Sequence, residues 1–183
     1  MRQSGLKTPE HVPWSETIRQ ARAASDIALV HALFVEYARG LNVDLCFQGF
    51  AEELATLPGV YAPPRGCLLL AGPPGAAFGC IALRPLDAAS ACGGVAPLPP
   101  TRAVIAEVKR LYVQPPYRGH DWGKRLVLAL GDEARAMGYH ELKLDTLVGM
   151  TAARALYADL GFRECAPYYD SPFAGAVYMA LSL

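Results

Sequence analysis

Residues 107–126 read EVKRLYVQPPYRGHDWGKRL, and this stretch decides the architecture. Residues 104–113 read as a strand, closed by Pro115 and Pro116. Residues 122–137 read as a helix with Trp122, Leu126, Leu130, Ala134 and Met137 facing inward and Gly138 at its C-terminal end. Between them Arg118, Gly119, His120, Lys124 and Arg125 gather around the helix N-terminus. Such an end offers unpaired N–H groups and a partial positive charge, which suit a phosphate, and nearby cations deepen the site. Neither a Walker A sequence nor GxGxxG is present, which removes support for nucleotide hydrolysis and NAD binding. A solvated basic turn has the same local composition and competes with the anion-site reading.

Outward from this unit the chain alternates strands and helices. Upstream, residues 17–22 suit a short strand. Ser25 is placed to cap a helix bearing Ile27, Val30, Leu33, Phe34 and Tyr37, which Gly40 stops. Residues 50–57 suit a short helix ended by Pro58, and residues 67–71 against 78–83 a hairpin around Pro73 and Pro74. Downstream, residues 141–147 alternate through Leu142, Leu144 and Thr146 as a strand. Thr151 caps a helix through Leu160 that Gly161 stops, and strands near 162–165 and 176–183 close the chain. The order predicts an α/β (α+β) fold: one mixed, mostly antiparallel central sheet flanked by helices. Residues 1–16 read as a flexible tail before a single domain over 17–183. Residues 86–100, rich in Ala, Gly and Pro, read as a flexible loop, either functional or a tolerated insertion.

Composition narrows the function. With 183 residues, 52% of them hydrophobic and 19% charged, the chain can build its own core. Seventeen basic residues balance seventeen acidic ones, against the basic footprint of a nucleic-acid binder. Five cysteines form no CxxC pair and no metal spacing, so no metal is expected and the thiols read as small hydrophobes of a reducing compartment. No apolar signal region precedes Ser15, and the uncharged run over 66–83 is broken by Pro73 and Pro74. A cytoplasmic protein with no membrane partner is the expectation.

The 107–126 stretch, together with GMTAARALYADLGF at 149–162, resembles the GNAT superfamily of acyl-CoA-dependent N-acetyltransferases. The family's pyrophosphate loop, Q/R-x-x-G-x-G/A, is matched at Arg118, Asp121 and Gly123, with Asp121 in place of the usual glycine. Its Leu-Tyr-x-x-Leu-Gly-Phe signature is intact as Leu156, Tyr157, Leu160, Gly161 and Phe162. Met150 stands where an asparagine is frequent, seven residues before Tyr157, and Thr151 is the candidate replacement contact. The resemblance covers residues 17–183 and implies a GNAT-like fold with acetyl-CoA as cosubstrate. It also implies pantetheine contacts on an interrupted strand at Leu111, Tyr112 and Val113, and pyrophosphate contacts at Arg118, Gly119, His120, Asp121, Trp122, Gly123 and Lys124.

The implied reaction moves acetyl from acetyl-CoA to a primary amine by direct attack through a tetrahedral intermediate. It needs a base for the amine, N–H donors for the oxyanion and an acid for the departing thiolate. Glu107 matches the position of a glutamate base in a histone-acetylating branch; an ordinary ion pair with Arg110 or another cation is the competing reading. Tyr157 matches the acid beside the CoA sulfur, or is an inward aromatic. Tyr168, Tyr169 and Asp170 are acceptor-groove candidates by family position, or form a polar turn. The amine acceptor stays open among small molecule, peptide terminus and protein lysine, and a homodimer stays open too. A catalytically silent acyl-CoA sensor is the alternative, resting on Asp121 and Met150.

Overall fold

The computed structural model describes residues 18–41, 49–86, 105–171 and 173–183. The elements run β1 (Ile18–Gln20), α1 (Ala24–Gly40), α2 (Phe50–Ala55), β2 (Cys67–Ala71), β3 (Gly79–Pro85) and β4 (Ile105–Val113). They continue through α3 (Trp122–Ala136), β5 (Glu141–Leu147), α4 (Thr151–Asp159), β6 (Arg163–Glu164) and β7 (Ala176–Ser182). The strands form one sheet in the order β1-β2-β3-β4-β5-β7-β6. Every neighbouring pair is antiparallel except β4 and β5. The sheet is mixed and mostly antiparallel, as the element order predicts.

Burial explains the two patterns in the strands. All five β2 residues are buried because both faces are covered. Cys67 and Leu69 join the cluster containing Leu126, Val127 and Leu130 of α3, while Leu68 and Leu70 join Val30, Leu33 and Phe34 of α1. Each fully buried leucine contributes about 1.5–3 kcal/mol of burial free energy. β5 alternates instead: Leu142, Leu144 and Thr146 are buried, whereas Glu141, Lys143, Asp145 and Leu147 are not. Its second face carries the polar groups of the candidate site.

Several boundaries differ from the sequence reading. Helix α1 begins at Ala24 with Ala23 as its cap residue, so Ser25 lies inside the first turn. The Asp26 carboxylate reaches back out of the helix, accepting from the Arg22 N–H (3.4 Å) and from Arg19 (2.9 Å), and so ties the first turn to the segment before it. Thr151 does not cap α4 either: it is the first helical residue, after Met150. β6 is two residues long, and β3 runs on to Pro85. The tail over 1–16 and all of the 86–100 loop except Leu86 lie outside the described residues. Among the described residues, no helix is long and apolar enough to cross a membrane.

Candidate active site

The site begins where two neighbouring strands stop pairing. Strands β4 and β5 match at Ile105–Glu141, Ala106–Leu142 and Glu107–Lys143, and there the ladder ends. Both strands continue, β4 to Val113 and β5 to Leu147, while β5 stays paired with β7 throughout. A gap in mid-sheet leaves main-chain donors and acceptors without strand partners, and such groups need partners of their own. A chain of amides, such as a pantetheine arm, has the donors and acceptors such groups could pair with.

The far side of β4 explains the divergence. Gly79 and Cys80 face Val113 and Tyr112, whereas Ala82 faces Lys109, so Ile81 alone opposes Arg110 and Leu111. This is a β-bulge, which bends its strand and re-aims side chains. Arg110 takes φ +59°, a left-handed conformation that costs an ordinary L-residue about 1–2 kcal/mol. The Gln114 N–H donates to Phe78 O on the β3 side (2.8 Å). By strand alternation the Tyr112 N–H also turns toward β3, while the Leu111 and Val113 N–H groups turn into the gap. The Tyr112 side chain packs toward α1, with its hydroxyl 3.4 Å from the Glu36 carboxylate. Of the three strand residues singled out for the cofactor, Leu111 and Val113 therefore aim main-chain donors at the gap.

Past β4 the chain turns through Pro115–Tyr117 to α3. The Arg118 Nε donates to Val113 O (2.8 Å) and its guanidinium lies 5.7 Å from the Tyr112 ring, tying the turn to the end of the strand. Gly119, His120, Asp121 and Lys124 are exposed. Asp121 adopts φ +59° and its carboxylate makes no cap hydrogen bond, so it does not occupy the helix N–H groups. The left-handed backbone is the physical reason a glycine suits this position; aspartate is among the few residues that tolerate it. Trp122 sends its ring into the core against Phe78, and Phe78 in turn stacks on Tyr117, leaving only Trp122's main chain for an anion. At Gly123 a Cβ would come 3.2 Å from Leu156, so a glycine lets α3 and α4 approach. The uncapped helix N-terminus flanked by exposed Lys124 fits a pyrophosphate.

Where the gap opens, a cavity of about 70 Å³ is lined by Lys109, Leu111, Asp145, Met150 and Tyr157, among others. Tyr157 is buried against Phe162, with ring centroids 5.4 Å apart. Burial above all, then Tyr37 and Asp145, pushes its phenol above the ordinary tyrosine range and keeps it protonated. Met150 lines the cavity and accepts a weak hydrogen bond from Thr146 Oγ1 (3.6 Å), while Thr151 is exposed at the start of α4. No group of three or more His, Cys, Asp or Glu residues able to hold a metal occurs among the described residues. Burial pushes the Cys67 thiol up to about 12, keeping it a neutral core group.

The polar face of β4 and β5 carries an ion network. Glu107 is fully buried. Its Oε2 accepts from Arg84 Nε (2.6 Å), and its Oε1 accepts from Tyr168 (2.9 Å) and lies 3.1 Å from Lys109 Nζ. The ion-pair reading of Glu107 holds with a change of partner: the cations are Arg84 and Lys109, because Arg110 is engaged by Glu53. Lys109 also donates to Asp145 Oδ1 (2.7 Å), a side-chain bridge at the level where the parallel ladder has already ended. Burial raises the Asp145 carboxyl, but Lys109 together with Tyr169 and Arg110 lowers it further and the net shift is downward. Tyr168 and Tyr169 pack edge-on with Tyr178, and burial followed by Glu107 and Asp145 respectively raises both phenols. Sequence reasoning missed Asp145, Arg84 and Glu53. The alternation of β5 marks Asp145 as off the core face, but nothing local names its partner.

The sequence model of the acetyltransferase (GNAT) family matches residues 31–162. An uncharacterized N-acetyltransferase of Schizosaccharomyces pombe is 33% identical over 172 residues, covering 93% of this chain and 97% of the relative. Among solved structures, one described as an acyl-CoA N-acyltransferase of Klebsiella pneumoniae superposes with a TM-score of 0.60 at 27% identity, covering 91% of this chain and 97% of that one. An acetyltransferase fold of Salmonella typhimurium, solved with its cofactor acetyl-CoA, superposes with a TM-score of 0.61 at 20% identity, covering 91% and 92%.

Proposed function

Because the chain belongs to the GNAT acetyltransferase family and uses acetyl-CoA as acyl donor, we propose that it acetylates a primary amine by direct attack on the thioester. The single observation that carries this reading is the gap between β4 and β5, with the Leu111 and Val113 N–H groups turned into it and Tyr157 on its wall. Those N–H groups stabilise the oxyanion of the tetrahedral intermediate. The Tyr157 phenol, protonated across the working pH range, gives its proton to the CoA sulfur as the C–S bond breaks.

The Glu107 carboxylate is already engaged by Arg84, Lys109 and Tyr168, so it does not meet the amine directly. Proton removal passes to water or through the Tyr168 hydroxyl to Glu107, and Tyr168 and Tyr169 border the acceptor groove. The pyrophosphate is held by the start of α3 with Arg118 and Lys124. Since family membership leaves the acceptor open, pocket shape decides it. The test is CoA release against a panel of small amines, peptide N-termini and lysine peptides, run beside acetyl-CoA calorimetry. Turnover with at least one amine class is expected; binding without turnover across the whole panel would overturn the reading in favour of a silent sensor.

A further inference from the structure

We propose that the Arg110–Glu53 ion pair is a positioning device for acetyl transfer, pinning the β4 bulge so that the Leu111 N–H points into the gap. The proposal rests on reading that N–H as an oxyanion donor. It starts from an anomaly: a left-handed residue in the middle of a strand is ordinarily glycine, which adopts it without strain, yet an arginine stands here. An arginine is retained in such a conformation only when its side chain is held firmly enough to offset the strain.

The hold is present. Arg110 Nε donates to Glu53 Oε1 (3.0 Å) and its terminal nitrogen to Glu53 Oε2 (2.5 Å), a two-point fork that fixes the guanidinium plane as well as its place. The Tyr61 hydroxyl donates to the same carboxylate (2.6 Å) and so orients it. The guanidinium centre lies 5.0 Å from the Phe50 ring and 5.8 Å from the Tyr37 ring. Only 4% of the Arg110 side chain and 11% of the Glu53 side chain are exposed. Burial works against both charges, but their mutual contact keeps the arginine protonated and lowers the Glu53 carboxyl.

The pin acts on the donor through one peptide plane. Lys109 and Arg110 are consecutive, yet both side chains meet groups away from the α3 face, and Leu111 packs on the α3 side. Only the bulge permits this break in alternation. The Arg110 carbonyl accepts from the Cys80 thiol of β3 (3.5 Å). In a trans peptide the carbonyl and the following N–H point in opposite directions, so the Leu111 N–H is thrown toward β5. If the fork is lost, the bulge is free to relax toward regular pairing with β3, and that N–H leaves the thioester oxygen.

The test uses the full chain and three variants. Arg110→Lys keeps the charge beside Glu53 and loses the fork; Glu53→Gln weakens it from the other side. Arg110→Met with Glu53→Met and Tyr61→Phe removes the pair and its donor together, so that no buried charge is stranded if a single variant fails to fold. Each is measured for kcat, acetyl-CoA Kd and the thioester carbonyl stretch of bound [1-13C]acetyl-CoA by isotope-edited infrared spectroscopy. The wild type should lower that stretch relative to free acetyl-CoA. The variants should lose most of the lowering and about tenfold or more in kcat, with Kd within about threefold. Folded variants that keep the wild-type stretch and kcat overturn the pin alone. An unshifted carbonyl in the acetyl-CoA-bound wild type overturns the oxyanion reading, and the pin's catalytic role falls with it.

Discussion

Asp121→Gly isolates the one loop position at which the chain departs from its family. Asp121 sits at φ +59° and makes no side-chain cap bond, so the substitution removes no helix cap. The left-handed conformation costs an L-residue about 1–2 kcal/mol, less for aspartate, and glycine lifts this cost. Against that gain, glycine gives the unfolded chain extra freedom worth about 0.5–1 kcal/mol. The balance lies between zero and about 1 kcal/mol in favour of the variant, and 1 kcal/mol moves the Tm of a domain this size by about 2–4 °C. Melting of the free protein should therefore be unchanged or raised by up to about 3 °C. Asp121→Ala, which keeps the strain with a side chain less tolerant of it, should melt lower than wild type. The variant also removes a negative charge from an exposed anion site. Two unit charges about 4 Å apart in water interact by about 1 kcal/mol, so acetyl-CoA should bind up to about fivefold tighter at low salt. The gain should shrink as ionic strength rises past 0.15 M, where the screening length is about 8 Å. Calorimetry at two salt concentrations and a melting curve decide the matter. Weaker binding by Asp121→Gly, or a lower Tm than wild type, would mean the carboxylate holds the loop in shape and would refute the argument.

Tyr157→Phe keeps the ring against Phe162, so the fold and acetyl-CoA affinity should persist while kcat falls by about one to three orders of magnitude; an unchanged kcat with chemistry rate-limiting returns the residue to the core. Acetyl-CoA at about 100 times its Kd should add about 2.7 kcal/mol of apparent stability, a Tm rise of several degrees, whereas a phosphate-free acetyl-pantetheine thioester at the same concentration should do much less. Equal shifts from the two would remove the α3 N-terminus from the binding site. Burial raises the Glu53 and Asp145 carboxyls, but Arg110 and Lys109 hold both below the ordinary range. Their stabilisation is whole above the unfolded pKa of about 4 and is lost as pH falls through the lower folded values. Thermal melting should hold steady from pH 7 to 5 and drop below about pH 4, with Asp145→Asn showing a shallower drop; an equally steep limb in that variant would show Asp145 to be uninvolved.

The sequence by itself determined the parts that depend on neighbours along the chain. The strand–turn–helix unit at 107–126, the alternation of β5 and the Leu156–Phe162 signature are legible because periodicity and helix stops are local. From the periodicity the sheet and its helices follow; the expected cofactor loop and acid candidate come from the family resemblance that the 118–123 and 156–162 motifs carry. Tertiary structure decided the rest. Glu107 is claimed by Arg84 and Lys109 because strand register brings Arg84 directly opposite it, whereas the bulge turns Arg110 toward Glu53, 57 residues away in sequence. The bulge is one extra residue on β4 relative to β3, and pairing across two strands is invisible in either strand alone. The bridge from Lys109 to Asp145 exists only because β4 and β5 share a register before they part. An aspartate before a helix commonly caps it through its side chain, but the turn into α3 gives Asp121 a left-handed backbone and its carboxylate makes no cap hydrogen bond. Patterns of residue type report which face of an element is buried. Which charged groups meet on that face depends on register and bulges, and those are set by the packing of distant segments.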